Sequence, residues 1–195
     1  VTERYPKATV FYNLDDALAD TTFDAVMIAT PSSLHHTQAL AALKAGKHVF
    51  VEKPLAQSVE KALELTQVAS KMGRILMVGH TFLYNNLVHD VKKRITSGEL
   101  GEVFYAYSQR LNLGKFRTDS DVMWTLAPHD VSILNFWFDS RPVRVSARGQ
   151  QYVTKKPNNA EVGFAQLEYA NGRNANLHLS WLDPQKRRDM VVVGS

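Results

Sequence analysis

"FDAVMIATPSSLHHTQALAALKAGKHVFVE", residues 23–52, holds two short β-type runs on either side of a segment with helical spacing. Val26-Met27-Ile28 is continuously apolar, the pattern of a strand covered on both faces. From Ser33 the chain turns to helical period, with Leu34, Ala41 and Leu43 among its apolar positions, and stops at Gly46. "KHVFVE" (47–52) is again β-type, "SVEKALELTQVASKMG" (58–73) is helical with Val59, Leu63 and Leu65, and "RILMVG" (74–79) returns to β. Strand, helix, strand, helix, strand implies a parallel sheet with right-handed crossovers.

Beyond about residue 80 the rhythm changes. A helix in "NLVHDVKKRITSG" precedes a strand in "GEVFYAYSQRLNL", and a second helix runs through "WTLAPHDVSILNFWF". From residue 143 the runs "VRVSARGQQYV", "VGFAQLEYA" and "NANLHLSWL" alternate as strands, and "DMVVVGS" is a further apolar run. Asn171-Gly172 between two alternating runs predicts a hairpin with a type I′ turn. Phe164, Gln166 and Glu168 should face away from Ala165, Leu167 and Tyr169, leaving one sheet face solvated or partnered. The fold class expected is α/β plus α+β: part of a Rossmann parallel-sheet domain over 1–80, then a domain over 81–195 with a mainly antiparallel sheet. The chain starts inside an α/β unit and ends within an apolar run, so it reads as the interior of a longer protein.

Composition narrows the function. The 195 residues are 45% hydrophobic and 22% charged, which is globular material, and no run approaches the ~18 apolar residues of a membrane span. No signal peptide is evident, so a cytoplasmic location is expected. With no cysteine, thiol catalysis and Cys-ligated zinc are excluded. The net charge of +4 is spread along the chain, with Lys186-Arg187-Arg188 its one compact basic cluster, so neither nucleic acid nor membrane is an expected partner. The histidines lack carboxylates at ligand spacing, so no metal site is expected, and no nucleophile elbow is present.

An α/β domain followed by a sheet domain is expected to bind its ligand at the C-terminal ends of the parallel strands. Glu52 and Lys53 stand at such an end, and Pro54 keeps Lys53 from rolling into the next helix. A partly desolvated Lys beside a carboxylate donates strong hydrogen bonds to a substrate hydroxyl or developing oxyanion. By local chemistry alone, a surface pair in a loop is the competing reading.

The residues themselves carry a resemblance. "IATPSSLHHTQALAALKAGKHVFVEKPLA" (28–56) is similar to the signature segment of the glucose-fructose oxidoreductase, inositol dehydrogenase and rhizopine-catabolism family, and "MVGHTFLYN", "SGELGEVFYAYSQRLNLGKF", "LAPHDVSIL" and "SWLDPQKRRDMVVVGS" follow in the order of one branch of it. The resemblance implies a Rossmann domain binding NAD or NADP, a C-terminal sheet domain with substrate contacts and oligomer interfaces, and a Gly-rich phosphate loop preceding Val1. It places Thr30, Pro31, Ser32, Leu34, His35, Glu52, Lys53 and Pro54 at the cofactor, with Lys53 also reaching the substrate. His36 is expected at solvent, and both histidines could instead simply occupy a solvated helix start.

The same resemblance makes His129 the residue that takes or relays the substrate proton, a role suited to imidazole. Thr125 stands where relatives usually have Asp. A hydroxyl there can orient the imidazole without supplying a countercharge, and Asp130, next in sequence, points roughly 100° away on a helix. The structural alternative is that Thr125 caps the helix, with Pro128 in its first turn and His129 packed in the core. For substrate, His80, Tyr84, Asn85, Arg110, Asn112 and Lys115 offer the donors and amides that hydroxyl-rich ligands need, with Arg110 and Asn112 two apart on one strand face. Solvated surface positions would look the same. Trp124 and Trp181 are expected to pack. The reading is an NAD(P)-dependent dehydrogenase acting on a secondary hydroxyl of a sugar, cyclitol or sugar nucleotide, expected as a homo-oligomer. Its alternative is a non-catalytic dinucleotide-binding regulator or protein-interaction module.

Overall fold

The computed structural model describes residues 3–114, 116–117, 120–154 and 159–195. They form two compact units, Val1–Gly79 and His80–Ser195. The first runs α1 (Leu14–Ala19), β1 (Ala25–Ile28), α2 (Ser32–Lys44), β2 (His48–Val51), α3 (Val59–Met72) and β3 (Leu76–Val78). Its sheet is parallel in the order β1-β2-β3.

Register places Ile28, Val51 and Val78 on one face and Met27, Phe50 and Met77 on the other. The core joins Ile28, Val49 and Val51 to Ala39, Ala42 and Leu43 of α2 and Leu65 and Ala69 of α3. Both crossover helices therefore cover the Ile28 face, and Met27 is 73% exposed. Burial of β1 on both faces, expected from its continuous apolar run, is thus corrected to burial on one. The helix stripes shift likewise. Leu34, Val59 and Leu63 are exposed, while His35, Ala39, Ala42 and Leu43 form the buried row at i, i+4, i+7 and i+8.

The second unit runs through a 3-10 turn (Thr81–Tyr84), α4 (Asn86–Thr96), β4 (Val103–Leu113), α5 (Val122–Phe138), β5 (Pro142–Gln150), β6 (Val162–Tyr169), β7 (Asn174–Ser180) and β8 (Leu182–Gly194). Its sheet order is β5-β6-β7-β4-β8. Only β4 and β7 pair in parallel among these neighbours. The mixed, mostly antiparallel sheet matches the expected class. Ala165, Leu167, Tyr169, Ala175, Leu177 and Leu179 alternate inward against Ile133, Leu134 and Trp137 of α5.

Two local expectations are corrected. The β6–β7 hairpin is present, but Gly172 N–H bonds Tyr169 C=O at 3.0 Å and Tyr169 N–H bonds Arg173 C=O at 3.0 Å. Gly172 alone in this turn takes a left-handed φ, 80°. With Ala170-Asn171-Gly172 between the bonded residues, the connection is a type I turn followed by a glycine bulge, not the two-residue type I′ form. Second, α5 starts at Val122, capped by Asp121, whose Oδ1 accepts from Trp124 N–H at 2.8 Å. Thr125 is not the cap, and Pro128 lies inside the helix. Trp124, on the first turn, is exposed, whereas Trp181 is buried. The basic cluster Lys186-Arg187-Arg188 belongs to one long strand with the apolar run after it. It lies on the sheet-edge strand β8, where like charges discourage further strand pairing.

Candidate active site

In the first unit the C-terminal ends of β1 and β2 open into two turns, and His35 ties them together. Its ring is 1% exposed, with Nδ1 2.7 Å from Pro54 C=O and Nε2 2.8 Å from Thr30 C=O. A second tie runs from Gln57 Nε2 to Ser32 Oγ at 3.1 Å. Thr30 Oγ1 donates to Gln38 Oε1 at 2.6 Å, which fixes the chain as it enters α2. Pro31 occupies the cap position with no side-chain cap bond. The α2 N-terminus thus meets the turn with its own backbone donors.

Glu52 N–H continues the ladder to Ile28 C=O at 2.9 Å, so β2 holds Glu52 at the sheet's C-terminal edge. Its carboxylate accepts from Lys53 N–H at 3.3 Å. Beside it ends β3. A Cβ on Gly79 would come within 3.2 Å of Phe50 Cζ and 3.4 Å of Glu52 Cδ, so the glycine makes room for both. Glu52, Lys53 and Pro54 are half-buried, and the Lys53–Pro54 peptide is cis.

Of the expected cofactor residues, Thr30, Pro31, Ser32, His35, Glu52, Lys53 and Pro54 gather on these two tied turns. His35 serves as the internal strut between them, and Leu34 is exposed on the first turn of α2. His36 departs from its expected solvent position. It is half-buried, with Nε2 2.7 Å from Glu64 Oε2, and bridges α2 to α3.

In the second unit, α5 carries Thr125 and His129 one turn apart, both half-buried. The Thr125 hydroxyl is 3.0 Å from that of Ser120. The His129 ring meets Phe82 edge to face, centroids 4.9 Å apart at 72°. Asp130 turns inward at 1% exposure. Its Oδ1 accepts from Arg110 Nε at 3.1 Å and Nη2 at 2.5 Å, and its Oδ2 accepts from Ser108 Oγ at 3.1 Å. Arg110 is 7% exposed and lies under Phe82, 4.8 Å from the ring centroid.

The expected substrate donors are dispersed. Tyr84 and Asn85 are exposed, and Asn85 caps α4 through Oδ1 to Leu87 N–H at 2.9 Å. His80 is half-buried at the start of the 3-10 turn. Arg110 turns its fork inward to Asp130. Asn112 is half-buried beside a register shift between β4 and β8 at Leu111/Leu113, so its face is not set by simple alternation from Arg110. Lys115 lies outside the described residues.

Sequence reasoning missed the Ser108–Arg110–Asp130 cluster and the part of Phe82 in it. A signal existed: one carboxylate among the apolar neighbours of "HDVSIL" requires a buried partner, and Ser108 and Arg110 share a strand face. It also missed Glu161, fully buried, which accepts from Tyr152 and Val153 N–H at 2.8 Å each and from Thr154 N–H at 2.5 Å.

Parallel strands ending in tied polar turns, followed by a mixed sheet backed by a helix that carries a half-buried imidazole, define the class of two-part oxidoreductases built on a dinucleotide fold. Residues 2–80 match the oxidoreductase family with an NAD-binding Rossmann fold, and residues 88–195 match the GFO/IDH/MocA C-terminal domain. The chain belongs to the GFO/IDH/MocA family. It is 32% identical over 187 residues to a UDP-N-acetylglucosamine 3-dehydrogenase of Acidithiobacillus ferrooxidans, covering 95% of this chain and 57% of that protein. It is 33% identical over 174 residues to inositol 2-dehydrogenase 1 of Mycolicibacterium vanbaalenii, covering 84% and 49%. Among solved structures, GenD2 from gentamicin A biosynthesis in complex with NAD superposes with a TM-score of 0.89 at 27% identity, over 100% of this chain and 58% of that one. The chain spans about half the length of the curated relatives it matches.

Proposed function

We propose that this chain is part of an NAD(P)-dependent dehydrogenase that oxidises a secondary hydroxyl of a sugar, cyclitol or sugar nucleotide. The observation that carries the proposal is the pair of turns bridged by His35. It sets Glu52 and Lys53 beside the Thr30–Ser32 turn at the C-terminal edge of a parallel sheet. These residues fit a dinucleotide. The α2 N-terminus offers backbone donors and a favourable dipole to phosphate or ribose oxygens, and the Glu52 carboxylate accepts from ribose hydroxyls. Thr30, Pro31, Ser32 and Leu34 form one wall of this site and Glu52, Lys53 and Pro54 the other. When bound, the nicotinamide supplies the hydride acceptor.

The Lys53 ammonium donates to the reacting hydroxyl and holds its oxygen as charge develops. His129 takes the hydroxyl proton while the carbinol C–H bond breaks. Thr125, through its hydroxyl, keeps the imidazole oriented. His80, Tyr84, Asn85, Asn112 and Lys115 supply hydrogen bonds to the remaining hydroxyls. On this reading residues 1–80 serve the dinucleotide and 81–195 serve substrate and self-association. The location proposed is the cytoplasm; among the described residues no helix is long and apolar enough to cross a membrane. The alternative, a non-catalytic dinucleotide binder, is favoured by one observation: Thr125, bonded to Ser120, provides no charge for the imidazolium.

NAD and NADP reduction by the purified protein with inositols, UDP-N-acetylglucosamine and free sugars separates the two readings. Turnover is expected with at least one polyol class, and Lys53→Ala and His129→Ala should each lower kcat by about 10² or more. Dinucleotide binding without turnover on any of them would favour the regulator, and wild-type kcat in either variant removes that residue from the chemistry.

A further inference from the structure

Asp130 poses a problem that the acid–base chemistry leaves unsolved. A carboxylate at 1% exposure must be met by opposite charge, and Arg110 and Ser108 meet it with three hydrogen bonds. Such a pair, however, is seldom more stabilising than apolar residues of the same volume. Its geometry suggests what it contributes instead. The guanidinium is held by Asp130 at its edge and faces the Phe82 ring at 4.8 Å, an arrangement that favours one ring orientation. Phe82 in turn meets the His129 imidazole edge to face at 4.9 Å. Residues 129 and 130 diverge by about 100° around α5, yet this path through β4 and the 3-10 turn brings the anchor at Asp130 back to the ring of its neighbour.

We propose that Arg110 and Phe82 are positioning residues for His129: the buried Asp130–Arg110 pair fixes the Phe82 ring, and that ring fixes the plane of the imidazole. Arg110 then acts from beneath the site and makes no substrate contact. Asp130 is neutralised by Arg110 and supplies no countercharge to His129. A carboxylate one residue from a proton-transfer group is thereby used for alignment, which suits a helix whose position 125 is a threonine. The inference rests on His129 being the acid–base group, and its test separates the two claims.

The experiment is a double-mutant cycle on the holoenzyme with Phe82→Leu, Phe82→Tyr and His129→Asn, read in kcat and KM, together with the NMR resonance of the His129 Cε1 proton. Phe82→Leu should lower kcat about 10-fold with KM unchanged, since misaligning a reacting group by a fraction of an ångström costs this much. Phe82→Tyr, which keeps the ring, should restore kcat. In the His129→Asn background Phe82→Leu should lower kcat no further, because the path it serves is already cut. The Cε1 proton should lose its ring-current shift in Phe82→Leu and keep it in Phe82→Tyr. Arg110→Met should reproduce the Phe82→Leu result in both readouts. If His129→Asn turns over like the wild type, the acid–base reading fails. If His129→Asn is slow but Phe82→Leu keeps full kcat, raises KM, or lowers kcat equally in both backgrounds, the positioning role is wrong while the acid–base reading stands. An unmoved Cε1 resonance in Phe82→Leu overturns it independently of turnover.

Discussion

Thr125 and Glu161 illustrate how one side chain sets behaviour that burial alone does not disclose. On the proposed reading, a hydroxyl at position 125, one helical turn before His129, orients the ring without neutralising it. Thr125→Asp should therefore favour the protonated imidazole, move the acid limb of the pH–rate profile to higher pH, and raise kcat at pH above that limb by roughly tenfold. An unchanged profile would detach Thr125 from His129. For Glu161, burial pushes the carboxyl up, but the Thr154 side chain and the N–H groups of Thr154, Tyr152 and Val153 outweigh it and hold it at about 2. The folded-state value lies below the ordinary 4.5, so its contribution is fully present above pH 4.5 and is lost as pH falls toward 2. Glu161→Gln should lower the melting temperature by several degrees at neutral pH and flatten the acid-side loss in that window. Equal slopes for wild type and variant between pH 5 and 2 in thermal melts would mean that the carboxylate does not hold the 152–154 turn. Neither feature is legible in "NNAEVGF" or "MWTLAPHD", because the partners of Glu161, three backbone N–H groups and the Thr154 side chain, lie seven to nine residues away and the role proposed for Thr125 depends on where the helix begins.

At the scale of elements, the alternation of strand and helix was legible from hydrophobic period, and the helix stops at Gly46 and Gly73 from left-handed glycines. What period could not supply was which face lacks a partner. Val26-Met27-Ile28 reads as doubly buried, but both crossover helices lie on the Ile28 side, a consequence of strand order that no local window contains. The start of α5 was equally hidden, since aspartate and threonine both make good caps, whereas α3 and α4 begin where the sequence places them. Hydrogen bonding decides for Asp121, and this has a measurable consequence. Asp121→Ala should destabilise the second unit by about 1 kcal/mol, whereas an exposed helix-surface change such as Asp90→Ala should stay within roughly 0.5 kcal/mol. Urea denaturation followed by near-UV circular dichroism reports the difference, and equal midpoints would place the start of α5 elsewhere. The GFO/IDH/MocA motifs were legible because they combine turn residues with chemistry-bearing ones. For Asp130 the need of a buried partner was legible but the partner was not, because Arg110 is 20 residues away on a different element.

Across the whole molecule, the open face of the five-stranded sheet is where a second copy of the chain is expected. The register aligns Phe164, His178, Tyr105 and Tyr107, with Val191 and Val193, on the face opposite α5. Phe164, Tyr105 and Tyr107 are each exposed by more than a third, and Phe164 stacks on His178 at 4.4 Å. An antiparallel sheet can leave one face to water, and a purely solvated face would then be polar. Here Tyr105, Tyr107, Phe164, Val191 and Val193 interrupt a face whose central strand β7 presents Asn174, Asn176 and His178, while Arg148 and Asp189 lie on the same face at opposite edges. A two-fold contact sets each face against its own copy, so edges of opposite charge can meet across the axis. Burial of about 800 Å² per copy is the usual size of a specific interface, and a five-strand face with strands of seven to thirteen residues is large enough to supply it. Tyr107→Glu with Phe164→Glu should convert the assembly to monomers in sedimentation velocity at micromolar concentration, with far-UV circular dichroism unchanged because neither side chain enters the core. His178→Ala should weaken association less, since it removes only the stacking partner. Wild-type chain that sediments as a monomer at ~100 μM, well above the Kd expected of an interface of that size, would show the face to be solvated, and its exposed aromatic side chains would then need another partner.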